Sequence, residues 1–468
     1  MRSIRACLLL SSLAAAGVAQ AQTTPAAGAA PAPAPAPAPP KSDGSLTWNG
    51  ITFYGIIDLG IQYQTHGVPI SDYFPAGTEA IIQKNSNGSI TAMTPSNLSQ
   101  SRLGLSGIEP LGGDLSAVFR LETFFNPQSG NLSDGLKSLT LNNGRPLNQQ
   151  STNVDTSVAG QLFAGAAYAG FSSKSLGTLT FGRHVTLLAD GIAKYDPMGA
   201  AQAFSLIGFS GTTAGGGDTE DRRLDGSIKY LGQWNPIRFG ALYQIGGQRG
   251  STNSAAQVDL GVDIAGLSAD AYYFKKKNAI AASALSAAQV QDIIAAGYSP
   301  SNTVAATVSD NETYAFMALY NFGGPKIYVG YEHIKFENPD SPMSPGSLTI
   351  GGYVLGVVNN TAFNTPKVLE VAWAGVKIPL SDVFDISAAY YGYKQDAFAG
   401  GALAGCSGVQ AASCSGRENA FSVVIDYKLS KRFDWYLGTF YTEVQDGLAS
   451  GFLNDNTLTT TTGIRFRF

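Results

Sequence analysis

The chain has 468 residues, and its 30 lysines and arginines against 34 aspartates and glutamates give a formal net charge of −4. This weakly acidic balance, without a basic tract, excludes nucleic acid as an expected partner. The 55 glycines and 21 tyrosines, with only 3 cysteines, are typical of short strands and tight turns rather than of a helical protein. Beyond the N-terminal segment no run of about 18 apolar residues occurs, so no transmembrane helix is expected.

Residues 1–21 have the pattern of a secretory signal peptide. Arg2 and Arg5 precede an apolar run, and the small residues Ala19 and Ala21 flank Gln20 as at a signal cleavage site. We therefore expect an exported protein that loses residues 1–21.

Residues 22–45 are rich in alanine and proline. Such a composition cannot form a packed core and favours extended polyproline II. We interpret this segment as a periplasmic linker, and a solvated tail without a specific role is the alternative. The remaining residues, 46–468, are predicted to form one β-domain.

The cysteines indicate a disulfide rather than a metal site. Cys7 lies in the predicted signal, which leaves Cys406 and Cys414 in the mature chain. In an oxidising compartment, two cysteines this close among glycine, alanine and serine are typical of a small disulfide-closed loop. Because no CxxC spacing or neighbouring histidine accompanies them, we expect no metal and no cofactor.

Strand-like segments of about 9 to 12 residues, the length that a tilted strand needs to cross a bilayer, follow one another along the domain. Tight turns and long loops alternate strictly between them. An even number of segments and this alternation predict an all-β fold, a transmembrane antiparallel β-barrel with short periplasmic turns and long extracellular loops. We count sixteen segments: residues 51–64, 100–108, 114–125, 161–172, 177–184, 222–233, 237–246, 256–264, 267–276, 312–322, 326–335, 367–378, 384–395, 418–429, 434–444 and 459–468.

Side-chain alternation predicts which face of each strand is apolar. In the last segment Ile464, Phe466 and Phe468 alternate with Arg465 and Arg467. A charge on the lipid face near the midplane costs about 2 to 4 kcal/mol, so the charged faces are expected to line a wet lumen. In segment 222–233 this places Leu224 outward. The side chains assigned to the lumen are Asp58, Arg120, Glu122, Arg223, Asp225 and Lys229.

The loop of residues 185–221 differs from the other long connections. It holds Asp190, Lys194 and Tyr195, followed by an apolar stretch that begins at Phe204. Apolar side chains are unfavourable in a fully exposed loop, so we expect this loop to fold inward and pack inside the barrel. Residues 279–297 have helix-forming composition and are interpreted as a short helix in an external loop, with disorder as the alternative.

Several motifs, taken in their order along the chain, resemble the Gram-negative general porins, the sixteen-stranded trimeric type, over residues 51–468. Each motif is weak alone, but their spacing makes the resemblance specific. The motifs are TFYGIIDLG from Thr52, SRLGLSG from Ser101, LGGDLSA from Leu111, LGTLTFGR from Leu176, YDPMG from Tyr195, RLDGSIKY from Arg223 and the terminal Phe468.

The resemblance implies that residues 185–221 are the constriction loop, in which Asp190 and Asp196 face a ladder of basic residues. Parity and position assign Arg102, Arg120, Arg223 and Lys229 to this ladder. The resemblance also implies a homotrimer in outer-membrane lipid and a role for Phe468 in recognition by the barrel assembly machinery. This chain departs from the family at Ser106, where a basic residue is usual, and at Arg183, which has outward parity.

A passive diffusion channel for ions and small hydrophilic solutes is therefore the predicted function. A substrate-selective channel, with eighteen strands as one variant, and a surface adhesin or receptor are the alternatives. An enzyme is disfavoured because His66, His184 and His333 lie on different segments, without a serine or carboxylate motif beside them.

Overall fold

The computed structural model describes residues 46–75, 88–153, 157–207, 212–213, 217–218, 222–246, 254–347, 349–399, 413–449 and 452–468. The predicted signal peptide, the alanine- and proline-rich segment and Cys406 lie outside the described residues. Within the described part, sixteen long strands form one antiparallel wall that closes on itself, because the first strand pairs with the last.

The elements are named here in chain order. The wall strands are β1 (Ile51–Gln64), β2 (Arg102–Gly112), β3 (Leu115–Phe124), β4 (Ala166–Ser173), β5 (Gly177–Val185), β6 (Arg223–Trp234), β7 (Ile237–Gln244), β8 (Ala255–Ile264), β9 (Leu267–Ser283), β10 (Thr303–Asn321), β11 (Lys326–Glu337), β12 (Lys367–Ser381), β13 (Phe384–Gln395), β14 (Gly416–Lys428), β15 (Phe433–Asp446) and β16 (Asn456–Arg467). The helices are α1 (Gly135–Thr140), α2 (Leu187–Tyr195) and α3 (Ala287–Ala295). Short strands cover Thr47–Trp48, Ile90–Pro95, Thr212–Thr213, Gly217–Asp218, Thr349–Ile350 and Tyr353–Asn359, and single 3-10 turns cover Leu147–Gln149, Pro300–Asn302 and Gly447–Ala449.

The predicted barrel, with its sorting of turns and loops, is confirmed. Tight turns join β2 to β3, β4 to β5, β6 to β7 and so on at one end, and the long connections lie at the other end. The chain terminus lies at the tight-turn end, where the backbone of Phe468 exchanges two hydrogen bonds with Gly55, at 3.0 and 3.1 Å. In the described residues, no helix combines the length and the apolar character that crossing a membrane requires.

The two faces of β16 follow the predicted alternation. Ile464 is exposed on the outer surface of the barrel. Arg465 lies inside and donates to Asp434, and its Nη1 lies 2.8 Å from the hydroxyl of Ser99. The wall is therefore apolar outside and polar inside, as a strand between lipid and water requires.

A turn of residues 96–101 leaves the wall and enters the lumen. The first half of β1 pairs with β2, its second half pairs with Ile90–Pro95, and the turn connects these two partners. Asp58 of β1 holds the turn, because its carboxylate accepts hydrogen bonds from the backbone N–H of Leu98 and Ser99 at 2.8 Å each. The hydroxyl of Tyr436 donates to the same carboxylate at 2.7 Å.

The hairpin of β9 and β10 is longer than predicted. The predicted strands end at residue 276 and resume at residue 312, whereas the observed strands reach Ser283 and Thr303 across a bulge after Lys276. The added residues are mostly small and do not alternate, so period-two patterning does not reveal them. Only the second half of the predicted 279–297 helix is helical, and α3 begins at a capping box in which Ser286 and Gln289 bond reciprocally.

The outer half of this hairpin belongs to a structure that we call the external cap. It comprises α1, α3, the hairpin from residue 279 to residue 308, and Tyr353–Asn359, which pairs in parallel with β10. Leu136, Val304 and Leu355 form part of its own small apolar core. The external loops are therefore packed against one another rather than extended separately.

Candidate functional site

The loop that follows β5 packs inside the barrel, as predicted. Its helix α2 was not predicted from the sequence. Thr186 caps this helix, because its hydroxyl accepts a hydrogen bond from the backbone N–H of Ala189 at 3.2 Å. The helix buries an apolar face against the inner side of the wall. Its buried side chains and their wall partners include Leu187, Leu188, Ile192, Tyr195, Leu242, Tyr272 and Phe274.

Beyond α2 the loop continues along the inner wall. Trp373 Nε1 of β12 donates to the backbone oxygen of Tyr195 at 3.0 Å. Tyr393 of β13 donates to the backbone oxygen of Leu206 at 3.2 Å. The ring of Phe204 meets Tyr436 of β15 edge-on, and the backbone N–H of Ala203 donates to Asn97 at 2.9 Å. The loop thus follows the inner wall from β7 to β15 and ends at the inward turn of residues 96–101.

Ion pairs fix the loop to the wall at β7 to β9. Asp270 accepts from Arg238 Nη2 at 2.9 Å, from Lys194 Nζ at 3.2 Å and from the hydroxyl of Tyr195. Arg238 also donates to Asp263. We call these five residues the anchor cluster. It leaves the exposed Lys194 of the loop paired with a buried carboxylate.

Asp190 and Lys229 form a second connection between loop and wall. Lys229 Nζ lies 2.6 Å from Asp190 and 2.8 Å from the backbone oxygen of Val185. The structure therefore places Lys229 at the base of the loop, and not with the other residues assigned to the basic ladder. Asp190 faces this one cation, and its charge is balanced locally.

Contrary to expectation, Asp196 does not face the basic residues. Its buried carboxylate accepts from the hydroxyl of Tyr391 at 2.6 Å and from the backbone N–H of Ala200 at 2.7 Å. Burial raises the pKa of Asp196 above that of an exposed aspartate. The residue fixes the turn that ends at Gly199, where a φ of +64° favours glycine.

Three of the predicted basic residues do meet, and we call them, with Glu122, the arginine cluster. Arg120 Nη2 lies 2.6 Å from Glu122 Oε2, and Arg102 Nε lies 3.8 Å from the same oxygen. Arg223 places its guanidinium 4.5 Å above the ring of Phe124 and interacts electrostatically with Glu122 and Arg102. The cluster lies on β2, β3 and the start of β6.

Tyr54 of β1 joins this cluster, although its sequence position does not single it out. Its hydroxyl donates to Glu122 Oε2 at 3.0 Å and accepts from Arg120 Nε at 2.7 Å. The guanidinium of Arg120 also lies 5.2 Å from the centre of the Tyr54 ring. Tyr54 therefore fixes the orientation of Arg120 through two contacts.

The arginine cluster is positive and accessible. Two guanidiniums share one carboxylate, and the side chains of Arg102 and Arg120 are 31% and 38% exposed, whereas that of Glu122 is 2% exposed. The exposed charges of the facing loop, Asp190 and Lys194, are each paired with the wall. A solute in the lumen therefore passes between a positive wall and a loop whose charges are balanced.

A bulge in β6 changes the predicted facing of two residues. The pairing of β5 and β6 shifts register between Leu224 and Ser227, at Gly226 with a φ of +57°. Leu224, expected to face lipid, is therefore buried against the inward loop. Asp225, assigned to the lumen, instead pairs with Arg183 Nη1 at 2.6 Å and is largely exposed.

The histidines have structural contacts. His184 is buried, with its ring nitrogens 2.8 and 2.9 Å from the hydroxyls of Ser227 and Thr180, and stacks on Tyr168. His66 Nδ1 lies 2.7 Å from the backbone oxygen of Asn456. In the part of the chain that the structure describes, no three His, Cys, Asp or Glu side chains are grouped to hold a metal ion.

A closed antiparallel barrel, apolar outside and polar inside, with a loop anchored across its lumen, defines the class of outer-membrane β-barrels with a constricted lumen. The profile described as Gram-negative porin matches residues 6–447. The chain therefore belongs to the Gram-negative porin family and is an integral protein of the outer membrane.

Individual relatives agree with this assignment. An outer membrane porin protein of Bordetella pertussis is 30% identical over 159 residues, and the match spans about a third of each chain, 34% of both. An anion-selective porin from Comamonas acidovorans has the same fold, with a TM-score of 0.57 at 18% identity over 89% of this chain and 99% of that chain. OmpT, an outer membrane protein of Vibrio cholerae, gives a TM-score of 0.53 at 11% identity over 91% and 100%.

Proposed function

We propose that the protein forms a water-filled channel through which ions and small hydrophilic solutes cross the outer membrane passively, selected by size and charge. The observation that carries this proposal is the lumen itself. A loop anchored from β7 to β15 narrows it, and fixed charges lie on the side that the loop does not follow. Fixed charge in a narrow aqueous passage sorts solutes by charge and dipole without a turnover step.

The charge balance favours anions. Arg102 and Arg120 exceed their shared partner Glu122 by one charge, whereas the exposed loop charges are paired. A unit charge at about 7 Å in water changes the local energy of an ion by about 0.6 kcal/mol, roughly a threefold change in its local concentration. The Comamonas acidovorans protein of the same fold is described as anion-selective, which supports the same preference here.

Planar-bilayer recording of the purified protein tests both statements. We expect stable unitary conductance in potassium chloride and, under a salt gradient, a reversal potential of the sign that chloride permeation produces. Absence of conductance would contradict the channel. Liposome swelling with sugars, amino acids and organic anions then distinguishes general diffusion from a substrate-selective channel, which would admit one class only.

Catalysis is not part of the proposal. His184 bonds to two hydroxyls and His66 to a backbone oxygen, and neither is joined to a carboxylate as a catalytic triad requires. A peptide and ester hydrolysis assay on the purified barrel, run beside heat-inactivated protein, should give equal rates. A heat-sensitive rate would support the enzyme alternative.

We further propose a homotrimer whose contacts use the outer face of β1 to β5. A groove of about 670 Å³ lies there, and Gly107, Ala117 and Gly170 are among its lining residues. One OmpT structure of the same fold is described as a trimer form. Small side chains permit close approach of a second apolar surface. Ala117→Trp should reduce the trimer fraction in native mass spectrometry, whereas Ala256→Trp, on the outer face of β8, should not.

The remaining sequence assignments belong to the same proposal. Residues 1–21 are removed on export, residues 22–45 remain as a periplasmic linker, and Cys406 pairs with the buried Cys414. Phe468, bonded to Gly55, contributes to recognition by the barrel assembly machinery. Intact mass before and after reduction tests cleavage and disulfide. Deletion of Phe468 should lower the folded yield in outer membranes, while Leu453→Ala should not.

One observation favours a second role at the cell surface. The external cap has its own apolar core, and Tyr353 donates to Asp134 at 2.8 Å across two of its loops. A structured outer surface can present a binding epitope, as an adhesin or receptor requires. Replacing residues 284–302 by a short glycine-serine turn should leave conductance intact. Loss of adhesion to host cells with intact conductance would support this role.

A further inference from the structure

A separate group of charged side chains lies inside the barrel, at the tight-turn end of β11 to β14. Lys377 Nζ lies 3.8 Å and Lys428 Nζ lies 3.0 Å from the same carboxylate oxygen of Asp385. Lys326 lies directly opposite Lys377 in the pairing of β11 with β12, and within the described residues it forms no ion pair. We call these four residues the periplasmic lysine cluster. Three lysines and one acid leave two positive charges in excess.

The lysines of this cluster face the lumen, on the periplasmic side of the anchored loop. Gly375, two residues before Lys377 on β12, faces inward, because an added Cβ there would collide with Pro197 of the loop. Side chains two residues apart on a strand share a face, so Lys377 faces inward too. The side chains of Lys377 and Lys428 are 38% and 39% exposed, whereas that of Asp385 is 8% exposed. The charge that a solute meets here is therefore positive.

The other ion pairs on this part of the inner wall balance one another. Asp426 and Asp434 both pair with Arg465, and Asp434 also pairs with Arg467. These two acids and two bases have no net charge. Like charges directly opposite each other on paired strands lower the stability of a sheet. Structural pairing therefore accounts for the arginines at this end of the barrel, but not for the three lysines.

The periplasmic lysine cluster and the arginine cluster occupy different depths of the pore. Lys326 is the first residue of β11 after a tight turn. Arg102 and Glu122 lie at the ends of β2 and β3 that are far from their tight turn. A charge deep in the passage acts on ions from both sides, whereas a charge at one mouth acts first on the ions that enter there. The two clusters should therefore control different measurable properties of the channel.

We propose that the periplasmic lysine cluster makes anion passage asymmetric, so that under equal and opposite voltages small anions enter faster from the periplasm than from outside. This inference rests on the proposed channel function and adds a directional property to it. Fixed positive charge at one mouth of a narrow passage concentrates anions at that mouth and raises their rate of entry from that side. The process stays passive, because no net flux arises without a driving force.

The test records single channels of the full-length mature protein in planar bilayers, with chloride as the anion. Both chambers hold about 50 mM potassium chloride, at which the Debye length exceeds about 10 Å. Biotin on Ala288→Cys, at an exposed position of α3, marks the orientation, because streptavidin binds only from the chamber that the external cap faces. The current should be about twofold larger when chloride enters from the periplasmic side. In about 1 M salt this ratio should fall to about one, because the charges are screened.

Two variants separate an effect of charge from an effect of structure. Lys326→Gln/Lys377→Gln leaves only the matched charges of Lys428 and Asp385, so the ratio of the two currents at low salt should fall to about one. Asp385→Asn keeps the size of the side chain and raises the excess by one positive charge. The ratio should then rise to about threefold, a direction that loss of structure does not produce.

The matched control is Lys335→Gln/Lys394→Gln. It removes two lysines from the outer face of β11 and β13, so the net charge changes as in the first variant and the ratio should stay native. Equal native currents in both directions at low salt, or a larger current for chloride entering from outside, would overturn the proposal. So would a native ratio in Lys326→Gln/Lys377→Gln, an equal loss in the control, or a lower ratio in Asp385→Asn. A native protein that conducts no ions would instead overturn the proposed channel.

Discussion

The anchor cluster and the arginine cluster use the same kinds of side chain for different ends. In the anchor cluster, Asp270 receives Arg238, Lys194 and Tyr195, while Arg238 also meets Asp263. In the arginine cluster, a single carboxylate, Glu122, pairs with Arg102 and Arg120, and Arg223 interacts with it at longer range. Both carboxylates are buried, and each is joined by a tyrosine hydroxyl. The two clusters differ in their ratio of acidic to basic side chains: the anchor cluster has two of each, whereas the arginine cluster has one acid and three bases.

This difference separates a structural from a permeation role. Where acids and bases are matched, the charges satisfy one another and the cluster fixes one element to another. Where bases exceed acids, the surplus charge acts on whatever enters the lumen. The two clusters can therefore be tested against each other. Changes to the anchor cluster should alter the width of the pore, and changes to the arginine cluster should alter its ion preference.

The largest effect is expected from Asp270→Asn. The change leaves Arg238 and Lys194 without their buried acceptor, and breaking such a pair costs about 3 to 5 kcal/mol. The loop should detach part of the time, which raises the unitary conductance and its noise and exposes residues 186–207 to protease. Asp382→Asn, which changes an exposed carboxylate in the tight turn between β12 and β13, serves as control. A quiet channel of native conductance and protease resistance would show that the anchor cluster does not hold the loop.

The double variant Arg102→Gln/Arg120→Gln should change ion preference without widening the pore. Each charge contributes roughly a threefold factor, so the chloride-to-potassium permeability ratio should fall by about three- to tenfold. The measurement is the reversal potential under a salt gradient, with Lys394→Gln on the outer face as control. An unchanged ratio would remove these arginines from the selectivity mechanism.

Glu122→Gln should shift the same ratio in the opposite direction. The variant removes the negative charge that offsets the arginines, but the carboxylate is buried behind them, so a rise of about twofold is expected. The shift should diminish in high salt because the lumen charges are screened. A fall in the ratio would indicate that Glu122 acts mainly by positioning the arginines.

The smallest effect is expected from Tyr54→Phe. The change removes the hydroxyl that links Arg120 to Glu122 and retains the ring beneath the guanidinium. Loss of one such hydrogen bond costs about 1 kcal/mol locally, and the permeability ratio should change by less than about twofold. Reversal potentials measured beside Tyr63→Phe, on the outer face of β1, provide the comparison. An effect as large as that of the arginine double variant would assign Tyr54 a direct role in the lumen.

The architecture could be predicted because its signal is repeated along the chain. Sorting of loop lengths recurs at every pair of strands, and the alternation in residues 459–468 follows directly from the contrast between lipid and water. The meeting of Arg102 and Arg120 at Glu122 also followed from parity, aided by the family resemblance. Arg223 shares the alternation of Asp225 ahead of the bulge, so its place beside them did not follow from parity. These inferences need only local sequence and the pleat of a strand.

The other features depend on register and on contacts between distant strands. Arg238 and Asp270 lie on β7 and β9, and Tyr54 and Arg120 lie on β1 and β3, so neither pair occupies neighbouring strands. The bulge at Gly226 reverses one face of β6, although a glycine within a strand is a recognised signal for a bulge. The burial of Asp196 required the position of Tyr391, which sequence spacing does not provide.

The inward turn of residues 96–101 makes the narrowing of the pore depend on the order of assembly. Asp58 of the first strand holds this turn, Tyr436 of the fifteenth strand completes the hold, and Ala203 of the loop then bonds to Asn97. These groups come together only when the two ends of the sheet have met. We expect that a barrel whose first and last strands have not yet paired cannot hold Ala203 of the loop in place. The pore therefore acquires its final width as the last step of folding.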